Sequence, residues 1–158
     1  MSSPSAQTSP DTVLYSERLL PSFGVWMLVL FASSASILVL LPVSLGAGLI
    51  AAVVVLIIIT TMLLINTPLI RVTPDTLQVG RAEIERRYIG TVEGFRGDDA
   101  TFQRGRGLNG TAFMCFRGWI PSVVRIEITD PADRTPYWLT STRHPEDLVR
   151  ALTTSQAQ

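Results

Sequence analysis

The stretch FGVWMLVLFASSASILVLLPVSLGAGLIAAVVVLIIITTMLLI, which occupies residues 23–65, decides the architecture of this chain. From residue 19 to residue 70 the sequence contains no Asp, Glu, Lys, Arg or His. Water-soluble domains do not devote about a third of their residues to such a stretch. The sequence therefore predicts that this part of the chain lies in a lipid bilayer.

Pro42 divides the stretch into two apolar runs, residues 23–41 and 45–65. As helices the runs reach about 28–32 Å, close to the roughly 30 Å hydrocarbon thickness of a bilayer. Because backbone groups in lipid must be hydrogen bonded within their own segment, we expect two transmembrane helices. Only residues 42–44 lie between them, so the two helices form a tight hairpin.

Arginines flank the hairpin at its open end and are absent from its tip. Arg18 precedes the first helix, and four arginines follow the second: Arg71, Arg81, Arg86 and Arg87. Since basic residues near helix ends stay on the cytoplasmic side, the pattern predicts a multi-pass protein of the plasma (inner) membrane with both termini cytoplasmic. A cleaved signal peptide is the alternative for the first helix. The tail before that helix lacks a basic cluster and a second apolar run follows at once, which argues against cleavage.

Small residues recur four positions apart in both helices, as Ala32 with Ser36 and Gly48 with Ala52. This spacing lets helix backbones approach closely, so we expect these residues to pack the two helices on each other or on a helix of another protein. Membrane lipid and other membrane proteins are accordingly the expected partners, and the oligomeric state stays open. No ionisable group lies at membrane depth, which argues against a transporter acting alone.

Residues after the hairpin form short apolar runs separated by turn signals at residues 74–75 and 80–81. Pro145 fits the first position of a final helix with an acidic first turn. The predicted fold class is an α+β membrane protein: a two-helix transmembrane hairpin followed by a small antiparallel β-domain that a C-terminal helix closes. Residues 16–18 are expected to begin a helix or to lie flat at the membrane interface. The predicted divisions are a disordered or interfacial N-terminal segment (1–20), the hairpin (21–68), the β-rich domain (69–153) and a disordered tail (154–158).

Three stretches of sequence resemble known families. DTVLYSERL (residues 11–19) and TDPADRTPYWLTSTRHPEDLVRAL (residues 129–152) resemble an actinobacterial family of membrane proteins of unknown function. IRVTPDTLQV (residues 70–79), which follows the hairpin, and a last strand that runs into a helix resemble bacterial pleckstrin-homology-like domains. The resemblance covers about residues 15–152. It implies a pleckstrin-homology-like fold for the cytoplasmic domain but carries over no catalytic residue, since a fold alone does not determine function.

The motifs that suggest chemistry are better explained by structure. GRGLNG (residues 105–110) matches the GxGxxG pattern, but a dinucleotide site needs a strand before that pattern and a helix after it. We expect residues 96–110 to form a mobile loop with one helical turn near residues 98–102. Cys115 and His144 are the only members of their types, too few for a metal cluster. A buried strand cysteine and a helix-capping histidine explain them better than a nucleophile pair. We therefore expect no catalytic residue, no cofactor and no metal.

A group of arginines near the membrane exit, with one tryptophan, is the best candidate for contact with lipid or a protein partner. Its members are Arg71, Arg81, Arg86, Arg87, Arg104, Arg106 and Trp119. Juxtamembrane basic groups gain about 1 kcal/mol each near an anionic leaflet. The alternative is an ordinary solvated face, on which Glu83 and Glu85 pair with arginines while Trp119 covers the core. The formal net charge is zero, which argues against nucleic acid as a partner.

These patterns predict a non-enzymatic integral inner-membrane protein whose cytoplasmic domain interacts with a protein or a lipid. An accessory or structural subunit of a larger membrane complex is the alternative, with the hairpin docked on other helices. A membrane-bound enzyme of unknown reaction is a third hypothesis, and it requires a pocket with converging polar groups.

Overall fold

A computed structural model describes residues 12–154 of the 158-residue chain. The chain forms two compact units. Residues 20–67 form the helical hairpin, and residues 12–19 together with 68–154 form the β-domain. The predictions for residues 1–11 and 155–158 lie outside the described residues.

The helical hairpin consists of α1 (Phe23–Leu40) and α2 (Leu45–Ile65). Both helices are long and apolar enough to cross a membrane, by length and composition. The turn between them ends at Ser44, whose side-chain oxygen accepts a hydrogen bond from the backbone N–H of Ala47 at 3.1 Å. This bond caps the first turn of α2. The predicted pair of long apolar helices is confirmed, with bounds that agree to within one residue.

Small residues bring the two helices of the hairpin together. Gly48 is buried, and a Cβ atom there would stand 3.1 Å from both the Cα and the carbonyl oxygen of Ile37. On α1 the buried small residue is Ser33, whose hydroxyl donates to the carbonyl of Val29 at 2.8 Å. Ala32 is exposed, so its predicted place in the contact between α1 and α2 is wrong. Adjacent helical residues point about 100° apart, and the four-residue spacing does not determine which of two small neighbours faces the partner.

Two other predicted packing residues lie at the edge of this contact, where both are half-buried: Ser36 and Ala52. A contact of Ala32 with a helix of another protein stays a prediction.

The described part of the β-domain contains two four-stranded sheets and two helices. The first sheet is antiparallel in the order β1-β2-β3-β4, with strands β1 (Tyr15–Arg18), β2 (Leu69–Val72), β3 (Thr76–Val79) and β4 (Ala82–Glu85). A 3-10 turn (Arg86–Tyr88) leads to the second sheet, in the order β5-β7-β8-β6, with strands β5 (Ile89–Phe95), β6 (Phe113–Cys115), β7 (Val123–Ile128) and β8 (Tyr137–Ser141). The helices are α3 (Gly97–Arg104), between β5 and β6, and α4 (Pro145–Thr153), after β8.

Alternate residues of the strands form the main core of the β-domain. These residues point to one face of each sheet because side chains in a strand alternate. The fully buried members of the core cluster come from both sheets, from α4 and from the segments beside β1 and β7: Leu19, Ile70, Val72, Leu77, Val79, Ile120, Val124, Ile126 and Leu148. Each such aliphatic side chain stabilises the fold by about 1.5–3 kcal/mol through burial.

The first strand corrects the prediction for the N-terminal segment. Residues 16–18 form a strand rather than a helix start or an interfacial segment, and residues 12–19 belong to the β-domain. β1 pairs with β2 from Tyr15 opposite Val72 to Arg18 opposite Leu69. The partner strand lies beyond the whole hairpin in sequence, so no local pattern could indicate the pairing.

Two further predictions for the β-domain need correction. β6 runs parallel to β8, with Phe113 opposite Trp138, so the prediction of a purely antiparallel arrangement is wrong for this pair. Residues 96–112 connect β5 to β6 and are long enough for the crossover that a parallel strand requires. Eight residues of this connection form α3, where a mobile loop with a single helical turn was expected. The α+β class is confirmed.

We predict that Gly48→Val weakens the hairpin, because the new side chain must push the backbone of α1 away at Ile37. The expected cost is about 1–3 kcal/mol of the free energy of unfolding, the usual range for overpacking. The matched control is Gly46→Val, at an exposed position where a Cβ atom meets nothing within 4 Å. Unfolding of the full chain by SDS in detergent micelles measures both variants, and equal losses would contradict the assigned contact.

Candidate functional site

The β1–β2 pair determines where the chain leaves and re-enters the β-domain. Arg18 lies opposite Leu69, and the backbone N–H of Leu19 donates to the carbonyl of Pro68 at 3.1 Å. Leu19 is fully buried and Pro68 is buried. The two points at which the chain passes between the β-domain and the hairpin are therefore hydrogen-bonded neighbours.

The turn between β3 and β4 lies at the same end of the first sheet. Val79 pairs with Ala82, so the turn consists of Gly80 and Arg81 alone. Gly80 has φ +63°, a left-handed conformation that favours glycine, and its N–H donates to the carbonyl of Leu69 at 2.8 Å. We call this end of the sheet, formed by Arg18, Leu19, Pro68 and the turn at residues 80–81, the exit end. Both of its arginines are exposed.

Arg86, a predicted contact residue, is instead a structural residue of the core. It is 6% exposed, and its guanidinium donates to the carbonyls of Ala151 at 2.8 Å, Leu152 at 2.7 Å and Thr73 at 3.2 Å. The first two carbonyls belong to the last turn of α4, where a positive charge is favourable. Burial lowers the pKa of Arg86 below its usual value, and the charge of Asp75 opposes that shift. Arg86 therefore fastens the end of α4 to the β2–β3 turn and is not available to an external partner.

The other predicted contact arginines of the β-domain differ in their surroundings. Arg87 is exposed, pairs with Glu85 at 2.8 Å and lies 4.8 Å from the centre of the Tyr88 ring. Arg104 is half-buried and donates to the carbonyls of Ala100 and Ile120, both at 3.3 Å, which ties α3 to the segment before β7. Of these two arginines, only Arg87 forms the surface ion pair that an ordinary solvated face predicts.

Two of the remaining arginines occupy different environments. Arg71 is half-buried on β2 between Ser16 and Gln78 of the neighbouring strands, whereas Arg106 is exposed after α3. Glu83, which was expected to pair with a nearby arginine, forms no ion pair within residues 12–154.

Trp119 packs against the main core and is half-buried. Its indole Nε1 is buried and has no hydrogen-bond partner in the part of the chain that the structure describes. These surroundings favour the core position over an exposed contact for this side chain.

A polar network around Glu17 is absent from the sequence prediction. Its carboxylate accepts hydrogen bonds from the hydroxyl of Tyr15 at 2.7 Å, from the hydroxyl of Thr142 and from the backbone N–H of Arg143 at 2.9 Å. The backbone N–H of His144, in turn, donates to the Thr142 hydroxyl at 3.1 Å. Burial raises the pKa of Tyr15 well above its usual range. The network fastens β1 to the segment before α4, and it joins residues more than a hundred positions apart, which is why no sequence motif marks it.

His144 occupies the cap position of α4, as predicted, but its side chain makes no capping hydrogen bond. Cys115 is half-buried on β6, and burial raises the pKa of its thiol, so the reactive thiolate is disfavoured. Within residues 12–154 no group of three or more His, Cys, Asp or Glu side chains is arranged to hold a metal ion.

The glycine-rich segment has the reverse of the dinucleotide-binding order. Gly105 ends α3, and the N–H of Gly107 donates back to the carbonyl of Phe102 at 2.8 Å, so the helix precedes the glycines. Asn109 is fixed to the second sheet, because its backbone N–H donates to the hydroxyl of the buried Tyr137 at 2.7 Å. The segment therefore closes the end of α3 and anchors it, and it offers no helix N-terminus to a pyrophosphate.

We predict that Arg86→Met destabilises the β-domain, because three carbonyls lose their charged donor. The expected loss is about 2–4 kcal/mol of the free energy of unfolding. Arg87→Met is the matched control, since a surface ion pair contributes only about 0–1 kcal/mol. Denaturant titration of the full chain in detergent, followed by tryptophan fluorescence, compares them. A similar small effect for both variants would show that Arg86 does not hold α4.

Comparison with known proteins identifies a family but no better-characterised relative. No curated protein and no solved structure matches the chain. One family model matches residues 14–152, which spans the hairpin and nearly all of the described β-domain. Its description is "Protein of unknown function (DUF3093)". Because the match covers most of the sequence, the chain belongs to this family of unknown function, DUF3093.

Proposed function

We propose that this chain is a non-enzymatic integral protein of the inner membrane, with a cytoplasmic β-domain that interacts with a protein or a lipid. The observation that carries the proposal is the hydrogen-bonded pair of β1 and β2, which joins Leu19 to Pro68 on either side of two long apolar helices. A chain that leaves and re-enters a folded domain at one point must cross the bilayer an even number of times. Two crossings satisfy this requirement with both termini on one side.

The pairing of β1 also supports retention of α1 in the mature protein. Cleavage after a signal peptide would remove β1 together with α1. The domain would then lose the partner of β2, the fully buried Leu19 and the carboxylate of Glu17 that holds Thr142. A strand that belongs to the core favours a permanent membrane span over a removable leader.

The positions of the arginines support the cytoplasmic orientation. Arg18 and Arg81 lie at the exit end of the first sheet, whereas the turn between α1 and α2 carries no charge. Basic residues beside the ends of transmembrane helices remain on the cytoplasmic side. Both termini and the β-domain then lie in the cytoplasm.

The architecture of the β-domain supports a pleckstrin-homology-like fold, because both four-stranded sheets contribute to a main core that a C-terminal helix completes. The resemblance of residues 129–152 supports an actinobacterial source. Two polar groups with several partners, Glu17 and Arg86, make their hydrogen bonds within the fold, which favours a structural role for them over catalysis.

We predict that alkaline phosphatase, active only in the periplasm, stays inactive when fused after Leu152. The same reporter inserted at Val43, in the turn between α1 and α2, is expected to be active because that turn crosses to the far side. The matched control is a fluorescent protein that fluoresces only in the cytoplasm. It is expected to fluoresce when fused after Leu152 and to stay dark when inserted at Val43. Phosphatase activity after Leu152 would overturn the orientation and, with it, the cytoplasmic partner.

A second candidate function is that of an accessory subunit in a larger membrane complex. One observation favours it: α2 carries an open concave surface near its C-terminal end, and its lining residues are Ile57, Ile58, Thr61, Met62, Ile65 and Asn66. Helices associate in lipid through van der Waals packing and interhelical hydrogen bonds, and this face combines apolar side chains with the hydroxyl of Thr61. Stoichiometric recovery of the chain within a large complex, after purification in mild detergent, separates this candidate from the first.

A further inference from the structure

The short links to the hairpin keep the exit end of the β-domain close to the bilayer surface. Residues 20–22 separate Leu19 from α1, and residues 66–67 separate α2 from Pro68. Even fully extended, these links place Leu19 within about 14 Å of Phe23 and Pro68 within about 11 Å of Ile65. If the two helices span the bilayer, as proposed above, the exit end lies at the level of the lipid headgroups.

The exit end presents two arginines whose charges are not used within the fold. Arg18 and Arg81 are both exposed, and neither forms an ion pair within residues 12–154. Three other exposed arginines of the described chain have carboxylate partners, at Glu85, Asp147 and Glu146, whereas Arg106 and Arg134 also form no ion pair within residues 12–154. The charge at the exit end is therefore available to an external anion.

The acidic groups near this end do not pair with the two arginines. Glu17, the neighbour of Arg18, directs its carboxylate to Thr142 and the backbone N–H of Arg143. Glu83, on β4, lies opposite Gln78 and forms no ion pair in the described part of the chain. Neither carboxylate therefore forms an ion pair with Arg18 or Arg81.

We propose, on the basis of the membrane-spanning function proposed above, that Arg18 and Arg81 form a binding site for the phosphate of an anionic phospholipid headgroup. A guanidinium group presents paired N–H donors that match two phosphate oxygens. Its charge also attracts a phosphate across the short distance set by the links, because the Debye length is about 8–10 Å in physiological salt. The tight turn at Gly80 places Arg81 next to Pro68, where the chain returns from the hairpin. Both arginines are therefore expected to lie at the level of the same layer of headgroups. A lipid is the favoured occupant because links of three and two residues tether this end to the proposed membrane spans, within reach of the headgroups at which those spans end.

The test uses the full chain in mixed micelles that contain phosphatidylglycerol and phosphatidylcholine, with native mass spectrometry to count the lipids bound. The wild-type chain is expected to prefer phosphatidylglycerol, and the preference is expected to weaken as ammonium acetate is raised. In the Arg18→Gln/Arg81→Gln double variant we expect the preference to fall by about 25-fold, at roughly fivefold for each arginine.

The control is the Arg87→Gln/Arg134→Gln double variant, which removes the same charge from two exposed arginines away from the exit end. Arg87 follows the end of β4 that lies opposite to the exit end. Arg134 follows β7, and the end of β7 lies beside Arg87, because the N–H of Thr129 donates to the carbonyl of Tyr88 at 2.8 Å. An unchanged preference in this control and a loss in the first variant support the site. An unchanged preference in the first variant, or an equal loss in both, would overturn it.

Failure of the lipid site and failure of the proposed function give different results. If the chain enters nanodiscs with its hairpin protected from protease but binds both lipids equally, only the lipid site is wrong. If the chain remains outside nanodiscs, the membrane-spanning function and the lipid site both fall. Photo-crosslinking from position 81 to a protein rather than to lipid, in native membranes, would also overturn the site and identify a protein as the occupant.

Discussion

The antiparallel pairing of β1 with β2 is the constraint on which the rest of the structure depends. It joins a strand before the hairpin to a strand after it, with the N–H of Leu19 bonded to the carbonyl of Pro68. The pairing completes the first sheet, buries Leu19 in the core and brings both links of the hairpin to one place. A single run of backbone hydrogen bonds within the β-domain thus joins the segment before the two apolar helices to the segment after them.

Most of the architecture could be predicted because its signals are local. Two long runs without charge predict helices long enough to cross a bilayer, and the alternation and turn residues of the β-domain mark strands and a final helix. Apart from α3, which occupies a segment predicted as a loop, the errors of architecture concern pairing or phase. β1 needs a partner that lies beyond the hairpin, β6 joins β8 in parallel after a long connection, and Ala32 and Ser33 differ only by a rotation that spacing does not determine.

The candidate site could be predicted in composition but not in detail. The sequence identifies arginines that flank the two apolar helices, yet it cannot distinguish Arg86, which binds the end of α4, from Arg81, which lies exposed in a turn. That difference arises from tertiary contacts with Ala151 and Leu152, far away in sequence. The Glu17 network is invisible for the same reason. Only the fold therefore distinguishes arginines that stabilise the domain from arginines that are exposed to a binding partner.

The most direct test of this account is disulfide formation between β1 and β2 in isolated membranes. Ser16 and Arg71 are register partners, so their cysteine variants, in a Cys115→Ser chain, should bring two Cβ atoms to about 4.5–5.5 Å and cross-link on mild oxidation. Glu17 and Arg71 point to opposite faces of the sheet, so that cysteine pair should stay reduced. Efficient cross-linking of the first pair alone is the result that the account predicts. No cross-link between positions 16 and 71, or equal cross-linking of both pairs, would contradict it.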